Sequence, residues 1–484
     1  MDKKTKILAT IGPASDNENI IENLVKAGVN AFRMNFSHGD HQYHKSNLEK
    51  IRNVEKKLGV RIGIFQDISG PKVRVGKIDG VFKLNSEDRL IFVKEQVKGE
   101  QIDNKTYKIC INHPDILKLI KVGEYIYLCD GSIRAKVVLA NENSVEAVLE
   151  NSGILTSNKG VNFPNTKINI DIITDKDKKD LEWGAKEGVN FVAVSFVQTS
   201  KDVLRVRKIL DEFNSKAKVF AKIEKFDAVE NIDEIIKVSD GIMVARGDLG
   251  IEVPYYEVPN IQKMIIKKAN EQARPVITAT QMMLSMTQNE RATRAEISDV
   301  ANAVLDGTDA VMLSEESAVG IDPVGVVKAM SNTIKETEKI YPYNKFDDYK
   351  FFDETDMIAS SSCALASRLG AKGILSITGS GKSAIKMARN RPNIDILAIA
   401  HDEQTAHFLT LAWGVNPVLV KEKNSVTLLV AEVVKALYEQ NNIDENYTYV
   451  MTAGFPTGVE GSTNYIRILK QDQIEYYKNI LNKK

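Results

Sequence analysis

KVFAKIE (218–224) and DGIMVARGD (240–248) are two short apolar runs, each ending on charged residues. A strand buried on both faces reads as a continuous apolar run, and a closed parallel barrel gathers the C-terminal ends of its strands into one pocket. The pattern recurs in both directions. KILATIG (6–12), VNAFRMNFS (29–37), RIGIFQD (61–67) and NFVAVSF (190–196) precede these runs, while RPVITAT (274–280) and TDAVMLS (308–314) follow. Helical patterns lie between them, including NENIIENLVKAG, closed by Gly28, and a polar helix from about His41 to Leu58 that stops at Gly59. Three strands before residue 70 and five after residue 164 make eight, which predicts an α/β fold built on a (β/α)8 barrel rather than an open sheet.

Between Gly70-Pro71 and Asn162-Phe163-Pro164 the pattern changes. DRLIFVKE, KTYKICIN, EYIYLCDGSIRAKVVLA and SVEAVLE are β-rich, with turn-forming Gly and Asn between them and no convincing helix longer than a turn or two. Residues 71–163 are therefore expected to form an inserted all-β lid, hinged where the chain leaves and rejoins the barrel. The barrel itself takes 1–70 and 164–345. GILSITGS, DILAIAHD, NPVLVKE, TYVMTAGFP and YIRILK predict a five-stranded C-terminal α/β domain over 346–484.

Composition narrows the function. A chain of 484 residues exceeds what one core usually supports. Its 65 basic and 65 acidic residues cancel, so no basic surplus points to nucleic acid or to an anionic membrane surface. Three cysteines (Cys110, Cys129, Cys363), none in a CxxC pair, give neither a disulfide framework nor a zinc knuckle. No apolar run approaches the ~18 residues of a membrane span, and the N-terminus lacks a signal-peptide core, so a cytoplasmic location is expected.

The strand ends carry Thr10, Arg33 with Asn35, Asp67, Ser195, Lys222 with Glu224, Asp248, Thr280 and Ser314. Glu224 and Asp248, on successive strands, suit a hard divalent cation, Mg2+ or Mn2+, that keeps positions free for substrate oxygens. Each acid alone is better explained by capping the next helix; the constellation is not. Lys222, two residues before Glu224, projects to the same side of its strand and can stabilise a phosphoryl group or an enolate. Arg33 and Arg74 offer guanidinium forks to phosphate oxygens. Gly247 lies where backbone amides at a helix start can receive a carboxylate. Thr280 supplies a hydroxyl.

Two further signals are weaker. His38, His41 and His44 are spaced by three residues but open a polar helix without an evident carboxylate partner, which argues against zinc. TGSGKS (378–383) mimics a nucleotide-hydrolysing loop, yet Ser376 stands where that motif needs its first glycine. Thr378, Ser380 and Ser383 with nearby amides fit either a phosphate cradle or ordinary helix capping.

These motifs, in this order and spacing, resemble the pyruvate kinase family almost end to end: ATIGPAS (9–15), RMNFSHG (33–39), QDISGPKVRVG (66–76), KGVNFP (159–164), AKIE (221–224), DGIMVARGDLGIE (240–252), ATQM (279–282), TRAEISDVANAVLDGTDAVMLSEESA (293–318), GSGKSA (379–384) and GSTN (461–464). The resemblance implies phosphate transfer from phosphoenolpyruvate to ADP, giving pyruvate and ATP in the last step of glycolysis. It implies Mg2+ or Mn2+ on Glu224 and Asp248, Lys222 on the phosphoryl and enolate charge, and Arg33 on the phosphoryl. Thr280 and the Gly247 and Asp248 amides would take the substrate carboxylate, Asn35, His38, Arg74 and Lys159 the nucleotide, and Thr280 and Ser314 the proton path. It further implies a homotetramer and an effector site (sugar phosphate or AMP) at Thr378, Ser380, Gly381, Lys382 and Ser383, with the loop around 461–464 closing over it.

The chain also departs from the family. Many members bind K+ through a shell matching Asn35, Ser37, Asp67 and a threonine at position 68, with an acid at position 72. Here those two positions are Ile68 and Lys72. A tethered ammonium can supply the charge of a diffusible cation, so activity without K+ is expected. Gln198 and Glu315 depart as well, without a physical account. Two rivals stand beside this reading: a metal-dependent barrel lyase acting on pyruvate enolates, and a catalytically silent metabolite-binding paralogue.

Overall fold

The computed structural model describes residues 3–164, 166, 171–421, 425–439, 442–454 and 463–480. Eight parallel strands close into a barrel: β1 (Lys6–Thr10), β2 (Ala31–Asn35), β3 (Gly63–Asp67), β4 (Phe191–Val194), β5 (Lys218–Ile223), β6 (Gly241–Ala245), β7 (Val276–Ala279) and β8 (Ala310–Leu313). Each strand pairs with its sequence neighbour, and β1 pairs with β8 to complete the ring. Helices start and stop where side chains and glycines permit. Asp40 accepts the Tyr43 amide at the start of helix His41–Leu58, and Gly59 ends it in the left-handed conformation at φ 65°.

Inside the barrel, Phe65, Phe191 and Phe220 meet with ring centroids 5.2–5.5 Å apart. Their layer continues into Phe408 and Leu409 of the C-terminal part, so one apolar core plugs the end of the barrel opposite the strand-end pocket. The strand C-termini line the mouth at the other end.

Between β3 and β4 lie a seven-stranded sheet, with strands from Arg89–Val93 to Val161–Asn162, and a two-stranded sheet of Phe82–Leu84 with Gly153–Leu155. They enclose a separate core that includes Phe92, Ile109, Ile126 and Val145. The helical content among these residues is one 3-10 segment, Pro114–Leu119. One pairing in this sheet, Arg89–Val93 with Thr106–Cys110, is parallel.

The C-terminal part is a five-stranded sheet in the order β11-β10-β9-β12-β13: β9 (Gly373–Ile377), β10 (Asp395–Ala400), β11 (Val415–Leu419), β12 (Tyr449–Gly454) and β13 (Thr463–Leu469). The last strand runs antiparallel to β12. Arg391, fully buried, ties this part to the barrel by donating to Asp309 Oδ1 (3.0 Å), Asn270 Oδ1 (2.9 Å) and the Gly307 carbonyl (2.6 Å). Among the described residues no helix is long and apolar enough to cross a membrane.

Candidate active site at the strand ends

The barrel register places Asn35 beside Asp67, and Asp67 beside Ala193, so the ends of β2, β3 and β4 are level. Asp67 is the hub. Its Oδ2 accepts Arg33 Nε at 2.7 Å, and its Oδ1 lies 3.2 Å from Lys222 Nζ. Burial alone would raise the Asp67 pKa, but Lys222 and Arg33 outweigh it and hold the carboxyl below its ordinary range. Arg33 Nη1 also donates to Thr10 Oγ1 at 3.1 Å, which fixes the plane of the guanidinium.

Lys222 Nζ sits among three oxygens: Glu224 Oε1 at 2.7 Å, Ser195 Oγ at 2.8 Å and Asp67 Oδ1. Burial works against its charge, but the Asp67 and Glu224 carboxylates prevail and raise its pKa. The Ser195 hydroxyl donates a hydrogen bond to the Ile68 carbonyl at 2.8 Å, leaving its lone pairs to the ammonium. The cation is buried, charged and fixed in direction.

Glu224 is 3% exposed and accepts the Phe196 amide on Oε2 at 2.8 Å. Its oxygens serve an ammonium and an amide from another loop rather than its own helix start, so the capping explanation does not describe it. Burial raises its pKa, Lys222 opposes this, and the Asp248 charge adds to it. A divalent cation between two hard carboxylates would relieve that strain, so the donor set fits Mg2+ or Mn2+.

Across the mouth, helix Arg246–Glu252 begins directly after β6, with Gly247 and Asp248 in its first turn. The Gly247 amide donates to Thr280 Oγ1 at 2.7 Å. Thr280 and Gln281 both have positive φ (67° and 55°), a costly conformation for residues with a Cβ. Arg246 braces that backbone by donating to the Thr280 carbonyl at 2.8 Å while pairing with Asp299 at 2.7 Å. Ser314 Oγ is buried and has no partner, and its amide is held by Glu316 Oε2 at 2.7 Å.

Other predicted residues lie around this centre. Ser37 and His38 are exposed on the turn after β2, where Asn35 Oδ1 accepts the Ser37 amide at 3.1 Å. The Ile68 side chain is core, 1% exposed, so that residue offers only a carbonyl. Arg74 and Lys159 sit on adjacent segments just beyond the hinge, Arg74 Nη1 donating to the Asn158 carbonyl at 3.0 Å. Lys72 pairs with Asp130 at 3.3 Å rather than with Asp67. It lines a cleft behind the hinge together with Asn162, Gln198, Lys225 and Asp248. Gln198 thereby gains a location, while Glu315 is exposed at the start of a short helix.

His41 Nε2 contacts Asp180 at 2.8 Å, and His44 Nε2 contacts the His38 carbonyl at 3.0 Å. In the C-terminal part, the Thr378 hydroxyl accepts the Gly381 amide at 2.9 Å and Ser383 Oγ lies 3.3 Å from Ser376 Oγ. Ser380 is half-buried and Lys382 exposed. Gly461 and Ser462 of the predicted closing loop lie outside the described residues. Sequence reasoning missed Glu316, Arg246 and Lys225, the last paired with Glu252 at 3.4 Å. The acids of LSEES could have flagged Glu316, but nothing in that string says which of the two turns inward.

Comparisons with known proteins show the family. The family model for the pyruvate kinase barrel domain matches residues 2–327, and that for the pyruvate kinase alpha/beta domain matches 356–469. A pyruvate kinase of Staphylococcus haemolyticus is 42% identical over 474 residues, spanning 96% of this chain and 80% of that protein. One from Staphylococcus aureus is 41% identical over 473 residues, with the same shares. The crystal structure of a Cryptosporidium parvum pyruvate kinase superposes with a TM-score of 0.90 at 32% identity, covering 97% of this chain and 96% of that one. The chain belongs to the pyruvate kinase family.

Proposed function

We propose that the strand-end pocket transfers the phosphoryl group of phosphoenolpyruvate to ADP and protonates the resulting enolate to pyruvate. The observation that carries this reading is the fully ligated Lys222 ammonium, set beside Arg33 and the Glu224–Asp248 pair. In the transfer, an oxygen of the ADP β-phosphate attacks phosphorus and the bond from phosphorus to the enol oxygen breaks. Charge then moves from the phosphoryl oxygens to the enolate, and Lys222 lies where both can be neutralised. Asp67 keeps Lys222 charged and aims Arg33, so little reorganisation is needed during reaction.

The substrate carboxylate takes the Gly247 and Asp248 amides, displacing the Thr280 hydroxyl that now occupies the first of them. Thr280 and the unpartnered Ser314 hydroxyl then line the route by which a proton reaches the enolate carbon. A divalent cation on Glu224 and Asp248 supplies Lewis-acid neutralisation of phosphoryl oxygens. Asn35, His38, Arg74 and Lys159 hold the nucleotide beneath the 71–163 lid.

Lys72 removes the need for K+. Its carboxylate partner, Asp130, forms with it a largely exposed pair worth about 0–1 kcal/mol, so the ammonium is free to exchange as the lid moves. Residue 68 supplies no hydroxyl to a K+ shell that would otherwise use Asn35, Ser37 and Asp67. We take the assembly to be a cytoplasmic homotetramer, with a sugar phosphate or AMP at Thr378, Ser380, Gly381, Lys382 and Ser383. The test is an omission series in a coupled assay. Pyruvate should form only with phosphoenolpyruvate, ADP and Mg2+ together. Failure to transfer phosphate to ADP, with pyruvate released instead from a substrate by cleavage of a bond to carbon, would favour a lyase, and no turnover a silent paralogue.

A further inference from the structure

The Phe36 carbonyl, in the turn that carries Ser37 and His38, is a junction that the transfer chemistry does not explain. It accepts Ser69 Oγ at 3.0 Å and Lys176 Nζ at 2.7 Å. Ser69 belongs to the segment just past β3 by which the chain leaves the barrel for the lid. Lys176 lies in the first turn of helix Asp175–Glu187, which follows the chain's return. The neighbouring residue of that helix, Asp177, is fully buried, and its Oδ1 accepts the Gly70 amide at the hinge (3.2 Å). One helical turn thus touches the hinge through Asp177 and the nucleotide turn through Lys176.

The ammonium is itself held in place. Asp180, 3% exposed in its side chain, accepts Lys176 at 2.6 Å and His41 Nε2 at 2.8 Å, and its carbonyl receives Gln66 Nε2 at 2.7 Å. The turn is gripped again two residues further on. His44 Nε2 faces the His38 carbonyl at 3.0 Å, and its ring stacks on Phe36 with centroids 4.0 Å apart. A carbonyl only accepts, so Nε2 carries the hydrogen and the buried Nδ1 is left without a partner. Such a grip suits a turn whose exposed residues must meet a ligand in a fixed pose.

We propose that Lys176 is a positioning residue for the nucleotide turn, tying the Phe36 carbonyl to the lid hinge so that Ser37 and His38 are set for the nucleoside diphosphate. The inference rests on the assignment of that turn to the nucleotide. It requires that Lys176 act on ADP and not on phosphoenolpyruvate, whose contacts lie on Arg33, Lys222 and the Gly247 amide.

The test compares Lys176→Met, Lys176→Arg and His38→Ala with the intact enzyme, measuring KM for ADP and for phosphoenolpyruvate separately. Lys176→Met should raise the ADP KM about tenfold, the size of one charge-assisted hydrogen bond, and leave the phosphoenolpyruvate KM within about twofold. Lys176→Arg should recover most of the loss. An unchanged ADP KM in Lys176→Met, or a parallel rise in both constants, overturns the proposal. His38→Ala separates the two levels: if it leaves the ADP KM unchanged, the nucleotide assignment has failed and this inference falls with it. If His38→Ala raises that KM and Lys176→Met does not, only the inference has failed. Should Lys176→Met not fold, Ser69→Ala removes the other donor to the same carbonyl, and a smaller rise confined to ADP is then the expected result.

Discussion

At the scale of single residues, Lys72 and Lys222 show how much the surroundings decide what a lysine does. Lys222 is buried among Asp67, Glu224 and Ser195 and has one pose. Lys72 is 35% exposed, with Asp130 as its partner, and is free to move. If its charge replaces K+, exchanging K+ for tetramethylammonium should leave the rate of the intact enzyme within about twofold. Lys72→Glu should lose at least about tenfold under the same conditions and recover with K+, since one unit charge near the phosphoryl is worth a kcal/mol or more. A large loss in the intact enzyme would sink the idea. Lys222 and Glu224 were legible in the sequence because period two puts both on one side of a strand. Glu316 and Lys176 were not, because their partners (Ser314 and Met283 amides, the Phe36 carbonyl) become neighbours only through the turns and the closed barrel.

At the scale of elements, the barrel strands were readable because burial on both faces makes them uniformly apolar. Ser195 and Ser314 fall just past β4 and β8 rather than within them, since a strand's hydrogen bonding stops before its apolar run does. The antiparallel pairing of β13 with β12 was not readable, because a run of apolar residues carries no direction. Nor was the left-handed pair Thr280–Gln281, which neither residue type announces and which Arg246 sustains from another element. Packing inside the barrel is tight. A methyl added at Gly241 would lie 2.2 Å from the Phe220 ring. Phe220→Ala should therefore cost about 3–5 kcal/mol in denaturant unfolding, with the midpoint shifted and most of the loss from the cavity. A cost below about 1 kcal/mol would mean that the layer collapses around the gap.

At the scale of the whole molecule, two buried lysines at the N-terminal end of β1 tie stability to pH. Lys3 donates to Asn30 Oδ1 at 2.8 Å, and Lys6 donates to the Val415 carbonyl of the C-terminal part at 2.7 Å. Burial lowers both pKa values to about 7. In the unfolded chain they titrate near 10.4, so between about pH 7 and 10 the unfolded state binds more protons and native stability rises with pH. The unfolding midpoint should climb from pH 7 to pH 9, and Lys6→Met should flatten that climb. A midpoint that falls over this range would contradict the assignment. The sequence changes pattern near residues 70, 164 and 345, because both-face burial, alternating β-rich runs and strand–helix alternation leave different local signatures. The way Phe408 and Leu409 complete the floor of the barrel was not, because nothing local distinguishes that contact from an ordinary core.

The whole account turns on one ammonium held at the junction of β3, β4 and β5. Its most direct test is kcat for phosphoenolpyruvate-to-ADP transfer in Lys222→Ala against the intact enzyme, with saturating Mg2+ and both substrates. Loss of this preorganised charge should lower kcat by about 10²–10³-fold or more, with little change in the phosphoenolpyruvate KM. Equal kcat values in the two proteins would show that Lys222 stabilises nothing in the transition state.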